Sequence, residues 1–132
     1  SQLCWDMDAF RYWLDAIRGA GIWMPVDVGI MPILDQAATI NMALSRNGCV
    51  MDRKLCEIIS KNWIFPNPFE KEPFDADVAG KKESFKKAGI EYTINQIDEY
   101  RACGVDGIHL YALNKYDDVA YIAKAAGLID LV

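Results

Sequence analysis

Histidine is almost missing from this sequence: His109 stands alone among 132 residues. A histidine-built metal site or proton relay has little to draw on. The four cysteines, at positions 4, 49, 56 and 103, form no CxxC pair. With one histidine, that spacing argues against a structural zinc site. The cysteines read as small buried apolar residues of a protein from a reducing compartment. Cys49 and Cys56 are spaced to share a helix face. Basic residues are in deficit, 14 against 19 acidic, for a net charge of −5. That balance argues against a nucleic-acid backbone or an anionic membrane as the main partner. The pairs Lys81-Lys82 and Lys86-Lys87 flank Glu83 and read as a solvated helix face. No apolar run approaches the roughly 18 residues of a transmembrane helix. The N-terminus carries no signal-peptide pattern, so a cytoplasmic protein is expected.

Apolar residues, by contrast, make up 52% of the chain. That suffices for a real core, and a chain of this length buries roughly two-thirds of its unfolded surface on closing. It is one domain at most. Strand-like sequence begins directly at Ser1 with no methionine before it. The chain is therefore expected to be a segment of a longer polypeptide.

Periodicity divides the chain into alternating elements. Gln2 to Trp5 reads as a short buried strand. Asp6 caps a helix carrying Met7, Phe10, Leu14 and Ile17, which Gly21 ends in a left-handed conformation. Met24 to Ile33 reads as a second strand, because Val26, Val28 and Ile30 alternate between marginal prolines. Leu34 to Arg46 is helical, with Asp35 as cap and Asn47-Gly48 as stop. Asp52 caps another helix, ending near Asn62, and Phe65 to Pro73 is loop. A long helix is expected from about Asp75 to Ala102. Gly89 lies inside it, where Ile90, Tyr92 and Ile94 also alternate as a strand would. The helix reading fits Ile90, Ile94 and Ile97 and accepts about 1 kcal/mol for an internal glycine. Gly107 to Leu113 is the third strand, and a last helix spans about Asp117 to Ala126. The order β-α-β-α-α-α-β-α calls for a parallel sheet of the α/β class. Ala20-Gly21-Ile22 and Ala126-Gly127-Leu128 repeat one helix-end signature, as stacked βα units would.

The stretch Gly107 to Lys115 carries most of the chemistry. An apolar run climbs from a glycine turn and ends on Asn114 and Lys115 before a new helix. The C-terminal end of a parallel strand is where α/β proteins bind ligands. Tyr111 and Asn114 lie there, open to plain core and helix-cap roles as well. His109 lies within the strand and reads as a satisfied core histidine.

Five segments then resemble one family in order and approximate spacing: Ser1 to Asp6, Gly19 to Ile22, Gly29 to Ile33, Ala88 to Glu91 and His109 to Lys115. They are similar to the methylenetetrahydrofolate reductases. The resemblance covers nearly the whole chain but only the last three βα units of that family's catalytic domain. It implies the C-terminal portion of a (β/α)8 TIM barrel carrying FAD, and a helix around Gly89. The implied activity is reduction of 5,10-methylenetetrahydrofolate to the 5-methyl form in one-carbon and methionine metabolism. NAD(P)H serves as reductant, and the flavin supplies the redox chemistry.

By the same resemblance, Gln2 matches a glutamine at a strand end that hydrogen-bonds the pterin. A planar amide sets a donor beside an acceptor, which suits a pterin edge. Tyr111 and Leu113 match positions near the flavin and the stacked nicotinamide or folate, with Asn114 beside them. Met42 stands where the family often places an aromatic that stacks on folate, a weaker platform. Ala38 stands where some members carry a glutamine, and Gln36 is close but out of register. Asp27 replaces an apolar strand residue, where a charge needs a partner or must face the barrel mouth. The catalytic acid and most flavin-holding residues of the family belong to its N-terminal half. Glu57, Glu83 and Glu91 read as surface charges on helices. The implied partners are folate and either the missing N-terminal half or a partner subunit, within an oligomer. The alternatives are a non-catalytic reductase-like subunit and a small α/β binding protein that docks on a partner.

Overall fold

The computed structural model describes residues 1–46, 48–64 and 77–130. The expected loop over 65–73 and the expected helix start at Asp75 lie outside the described residues, as does Asn47. The order is α1 (Met7–Gly19), β1 (Asp27–Ile30), α2 (Gln36–Leu44), α3 (Arg53–Lys61), α4 (Val78–Ala102), β2 (Gly107–Leu110) and α5 (Tyr116–Ala125). The two strands pair in parallel, with Asp27 opposite Gly107 and Gly29 opposite His109. This is an α/β structure around a small parallel sheet.

Local chemistry sets the helix starts. The carboxylates of Asp6, Asp35 and Asp52 each accept backbone N–H groups of the first turn of α1, α2 and α3. Gly21 and Gly127 adopt φ of +78° and +65°. The N–H after each reaches five residues back, Ile22 to Ile17 at 3.0 Å and Leu128 to Ala123 at 2.8 Å. That is the Schellman arrangement of a glycine-ended helix, made twice.

Val26, Val28 and Ile30 present the even-numbered face of β1 to α1, α4 and α5. They pack there with Phe10, Leu14, Ile97, Tyr100 and Ile122. A second cluster joins Leu3, Trp5, Met31 and Ile33 to Leu55, Ile59, Phe85 and Tyr92. Burying each such side chain contributes about 1.5–3 kcal/mol. Helix α4 touches both clusters, and its buried stripe includes Phe85, Gly89, Tyr92, Thr93, Gln96, Ile97 and Tyr100. Gly89 is helical, as the isoleucine spacing implied.

Both expected strands beside the glycine turns are shorter than read. Pro25 and Pro32 bracket β1 and cannot donate to a ladder. Beyond β2, Leu113 and Asn114 take φ of +45° and +63°, which ends extended backbone. The expected strand over Gln2 to Trp5 is a correction: these residues belong to no strand and are not part of the sheet. The terminal amino group of Ser1 donates to Asp27 O. The next carbonyls are claimed by one face of α4 instead of a ladder. Tyr92 Oη donates to Trp5 O (3.1 Å), while Gln96 Nε2 (2.8 Å) and Tyr100 Oη (2.6 Å) both donate to Cys4 O.

Burial holds the phenols of Tyr92 and Tyr100 protonated well above their ordinary value of 10.0. Nearby acidic groups add to this, Asp52 for Tyr92, and Cys4 and Cys103 for Tyr100. Above about pH 10 the unfolded chain releases these protons and the folded chain keeps them. The stabilisation is thus whole below pH 10 and is lost as pH rises further. Each tyrosine contributes a slope of up to about 1.4 kcal/mol per pH unit. Urea midpoints of the full natural chain should fall progressively as pH rises above about 10, and Tyr92→Phe should flatten that fall. A midpoint unchanged across that range would contradict the buried protonated phenols.

Candidate functional site at the C-terminal strand ends

The odd-numbered face of β1 bears Asp27 and Gly29, and the matching face of β2 bears His109 and then Tyr111. Among the described residues, Asp27, Gly29 and His109 belong to neither helix-packed core cluster. Asp27 is exposed, so its charge is not buried in the strand and stays in solvent. Its carboxylate lies against Gly107, where a side chain would collide with it. His109 is also exposed, so it is not a core histidine. The ring of Tyr111 lies 4.8 Å from that of His109, tilted by 55°.

Tyr111 reaches across to β1. Its N–H donates to Ile30 O at 2.9 Å. Its ring occupies the space a Cβ on Gly29 would need, beside the carbonyl of Ser1. The N-terminal segment, β1 and the end of β2 thus meet at one point. Tyr111 is 37% exposed and Leu113 73%. A leucine held at positive φ with its side chain in solvent is uncommon, and such strain gathers at functional sites.

Tyr111 and Leu113 line a small cleft with Met31, Pro32, Asp35 and Ala38. Its volume is about 20 Å³. Ligand pockets are usually about 300–1,000 Å³, so among the described residues the cleft does not by itself hold a ligand. Asn114 parts from these two: it lines a groove of about 350 Å³ with Tyr116 and Val119 of α5. It does not cap α5 either, since Lys115 holds the N-cap position without a side-chain bond.

Gln2 is exposed, and its Oε1 accepts Leu3 N–H at 3.3 Å. Met42 is half-buried against the Leu3–Trp5 cluster and does not line the Tyr111 cleft. Ala38, one helical turn before Met42, does. Gln36 is spent elsewhere: its Nε2 donates to Ile59 O and Asn62 O at 3.1 Å each, and its Oε1 accepts Ile64 N–H. The residue missed by sequence reasoning is Thr93. Its Oγ1 accepts Ile33 N–H at 3.1 Å and donates to Gly89 O at 2.8 Å, fixing the segment that leads into the cleft. The close Gly89–Thr93 pair in the long helix was its signal. Among the described residues, no group of three His, Cys, Asp or Glu is placed to hold a metal ion. No described helix is long and apolar enough to cross a membrane.

Comparison with known proteins adds the family context. A family model described as methylenetetrahydrofolate reductase matches residues 1–127. Methylenetetrahydrofolate reductase 1 of Schizosaccharomyces pombe is 25% identical over 130 residues, 98% of this chain and 19% of that protein. Methylenetetrahydrofolate reductase (NADH) 1 of Arabidopsis thaliana is 28% identical over 130 residues, with the same two shares. The chain spans about a fifth of the length of each.

Proposed function

Because this chain belongs to the methylenetetrahydrofolate reductase family, we propose that it forms part of a flavin-dependent enzyme reducing 5,10-methylenetetrahydrofolate to the 5-methyl form. NAD(P)H is the reductant, and the compartment is the cytoplasm. The observation that carries this reading is the meeting of Ser1, Gly29 and Tyr111 at one strand end, within a family match over residues 1–127. In this reading β1 and β2 are staves of a (β/α)8 barrel. Residues outside this chain, or a partner subunit, complete it.

The outer edge of β2 supports that reading. Among the described residues β2 pairs only with β1. A groove of about 510 Å³ runs along its free edge, lined by Val105, Ile108, Leu110, Ala123 and Leu128. An unpaired strand edge beside apolar surface is a liability unless covered. A further strand would cover it.

The open face fits a flat ring system. Gly29 removes bulk, Tyr111 presents a ring, and exposed Leu113 offers an apolar edge. Tyr111 and Leu113 are the residues of this chain that would flank FAD and the ring stacked on it. When bound, FAD links reduced nicotinamide to folate as hydride acceptor and donor. The chain's own task is to orient and to exclude water. The exposed amide of Gln2 would meet a pterin edge with a donor and an acceptor. Met42, packed against the Leu3–Trp5 cluster, would act on that face only through Ala38, one turn before it. The proton donor is assigned to residues outside this chain.

The test uses the full natural chain with FAD. Gln2→Ala should raise the folate KM about tenfold, the loss of one good hydrogen bond, while reduction by nicotinamide changes little. Equal losses in both half-reactions would reject the assignment of Gln2. Protein that stays colourless after FAD addition would instead make this a non-catalytic, reductase-like subunit.

A further inference from the structure

Glycine inside a strand loses packing and is entropically costly, so it needs a reason. Gly29 is buried in β1 and does not take a positive φ, so its backbone does not require glycine. The space does. A Cβ there would sit 2.6 Å from Tyr111 Oη and 2.9 Å from Tyr111 Cε2. The Ser1 carbonyl, at 3.1 Å from the same point, would need only a small shift. His109 stands opposite Gly29 in register, and its ring meets that of Tyr111 at 4.8 Å.

We propose that Gly29 and His109 are positioning residues that seat Tyr111: the bare backbone of Gly29 receives the ring and the imidazole of His109 braces it. The seat lays the phenol across β1, with its hydroxyl over the strand, so the ring forms a floor for a planar ligand. With a larger residue at 29 the ring stands up into the space where the ligand's ring system lies. The choice of a flat heteroaromatic ligand at this face is thereby set by two residues that need not touch it. The inference rests on the proposed function for the identity of that ligand, but the seat itself does not.

A double-mutant cycle with Tyr111 separates the two. In the FAD-loaded full natural chain, Gly29→Ala should raise the folate KM about tenfold, because small displacements at a binding surface are expensive. Reduction by nicotinamide should weaken as well, since Tyr111 flanks whichever ring stacks on the flavin. In a Tyr111→Ala background the same Gly29→Ala change should add nothing. His109→Phe keeps a ring against Tyr111 and should preserve the folate KM, whereas His109→Ala should raise it. Additive effects of Gly29→Ala and Tyr111→Ala would overturn the proposal.

Thermal midpoints of the four proteins in the Gly29–Tyr111 cycle supply a readout free of any activity. Gly29→Ala should lower the midpoint in the natural background and leave it unchanged in the Tyr111→Ala background. If Gly29→Ala alone does not fold, recovery of folding in the double variant supports the seat, and failure of the double variant beside a folded Tyr111→Ala overturns it. If Tyr111→Ala leaves the folate KM untouched, the reductase reading of this face fails. The midpoint cycle then still decides the seat.

Discussion

Gly89→Ala should destabilise the protein by about 3 kcal/mol, although alanine is the better helix former by about 1 kcal/mol. The reason is contact, not propensity. A Cβ at position 89 would overlap the carbonyl oxygen of Ile33 and sit 2.7 Å from Ile33 Cγ2 and 2.9 Å from its carbonyl carbon. Two of those three atoms are backbone and cannot swing aside. Ile33 is itself fully buried, and its N–H is held by Thr93 one turn along the same helix. To admit a methyl, α4 must lift from the end of β1, breaking that bond and opening both clusters. The control is Gly19, the last residue of α1, where a Cβ meets nothing within 4 Å. Gly19→Ala should be neutral or stabilising by up to about 1 kcal/mol. Denaturant midpoints of the two variants in the full natural chain check the pair. Equal shifts at both positions would contradict the close approach of α4 to Ile33.

Gln36→Leu should be the second large effect, an expected loss of about 2 kcal/mol. The Gln36 side chain is buried, and all its bonds go to the end of α3 and the residues after it: Ile59 O, Asn62 O and Ile64 N–H. Leucine fills similar space but leaves these groups without their partner. A groove of about 360 Å³ borders Gln36, Asn62 and Ile64, so entering water keeps the cost from reaching the full desolvation of all three. The same change should leave the folate KM of the enzyme unaltered, because the amide is committed inside. A raised KM with unchanged stability would mean that Gln36 faces the ligand and takes the role of the glutamine that Ala38 replaces.

Both effects depend on contacts between residues far apart in sequence, which marks how far the sequence could be read. The caps at Asp6, Asp35 and Asp52 were legible because a carboxylate and the N–H groups it accepts lie within three residues. The glycine helix ends were legible for the same reason. Gly89 within α4 was legible from isoleucine spacing, but the use of its missing side chain was not, since Ile33 lies far earlier in the chain, beyond two intervening helices. The Gln2–Trp5 segment has strand composition, yet α4 tyrosine and glutamine side chains take its carbonyls. Position within β2 did not tell that His109 faces outward, because alternation gives two faces without saying which one the helices cover.

The residue pattern by itself determined the helices, their caps, the α/β class and the family resemblance. These rest on local spacing and on motif order, which survive without coordinates. Tertiary structure alone decided which face of β1 stays open, that Tyr111 crosses to Gly29, that Asn114 departs from Tyr111 and Leu113, and that Gln36 is spent on α3. Those outcomes follow from packing, where a side chain's role is set by whatever distant backbone fills, or vacates, the space beside it.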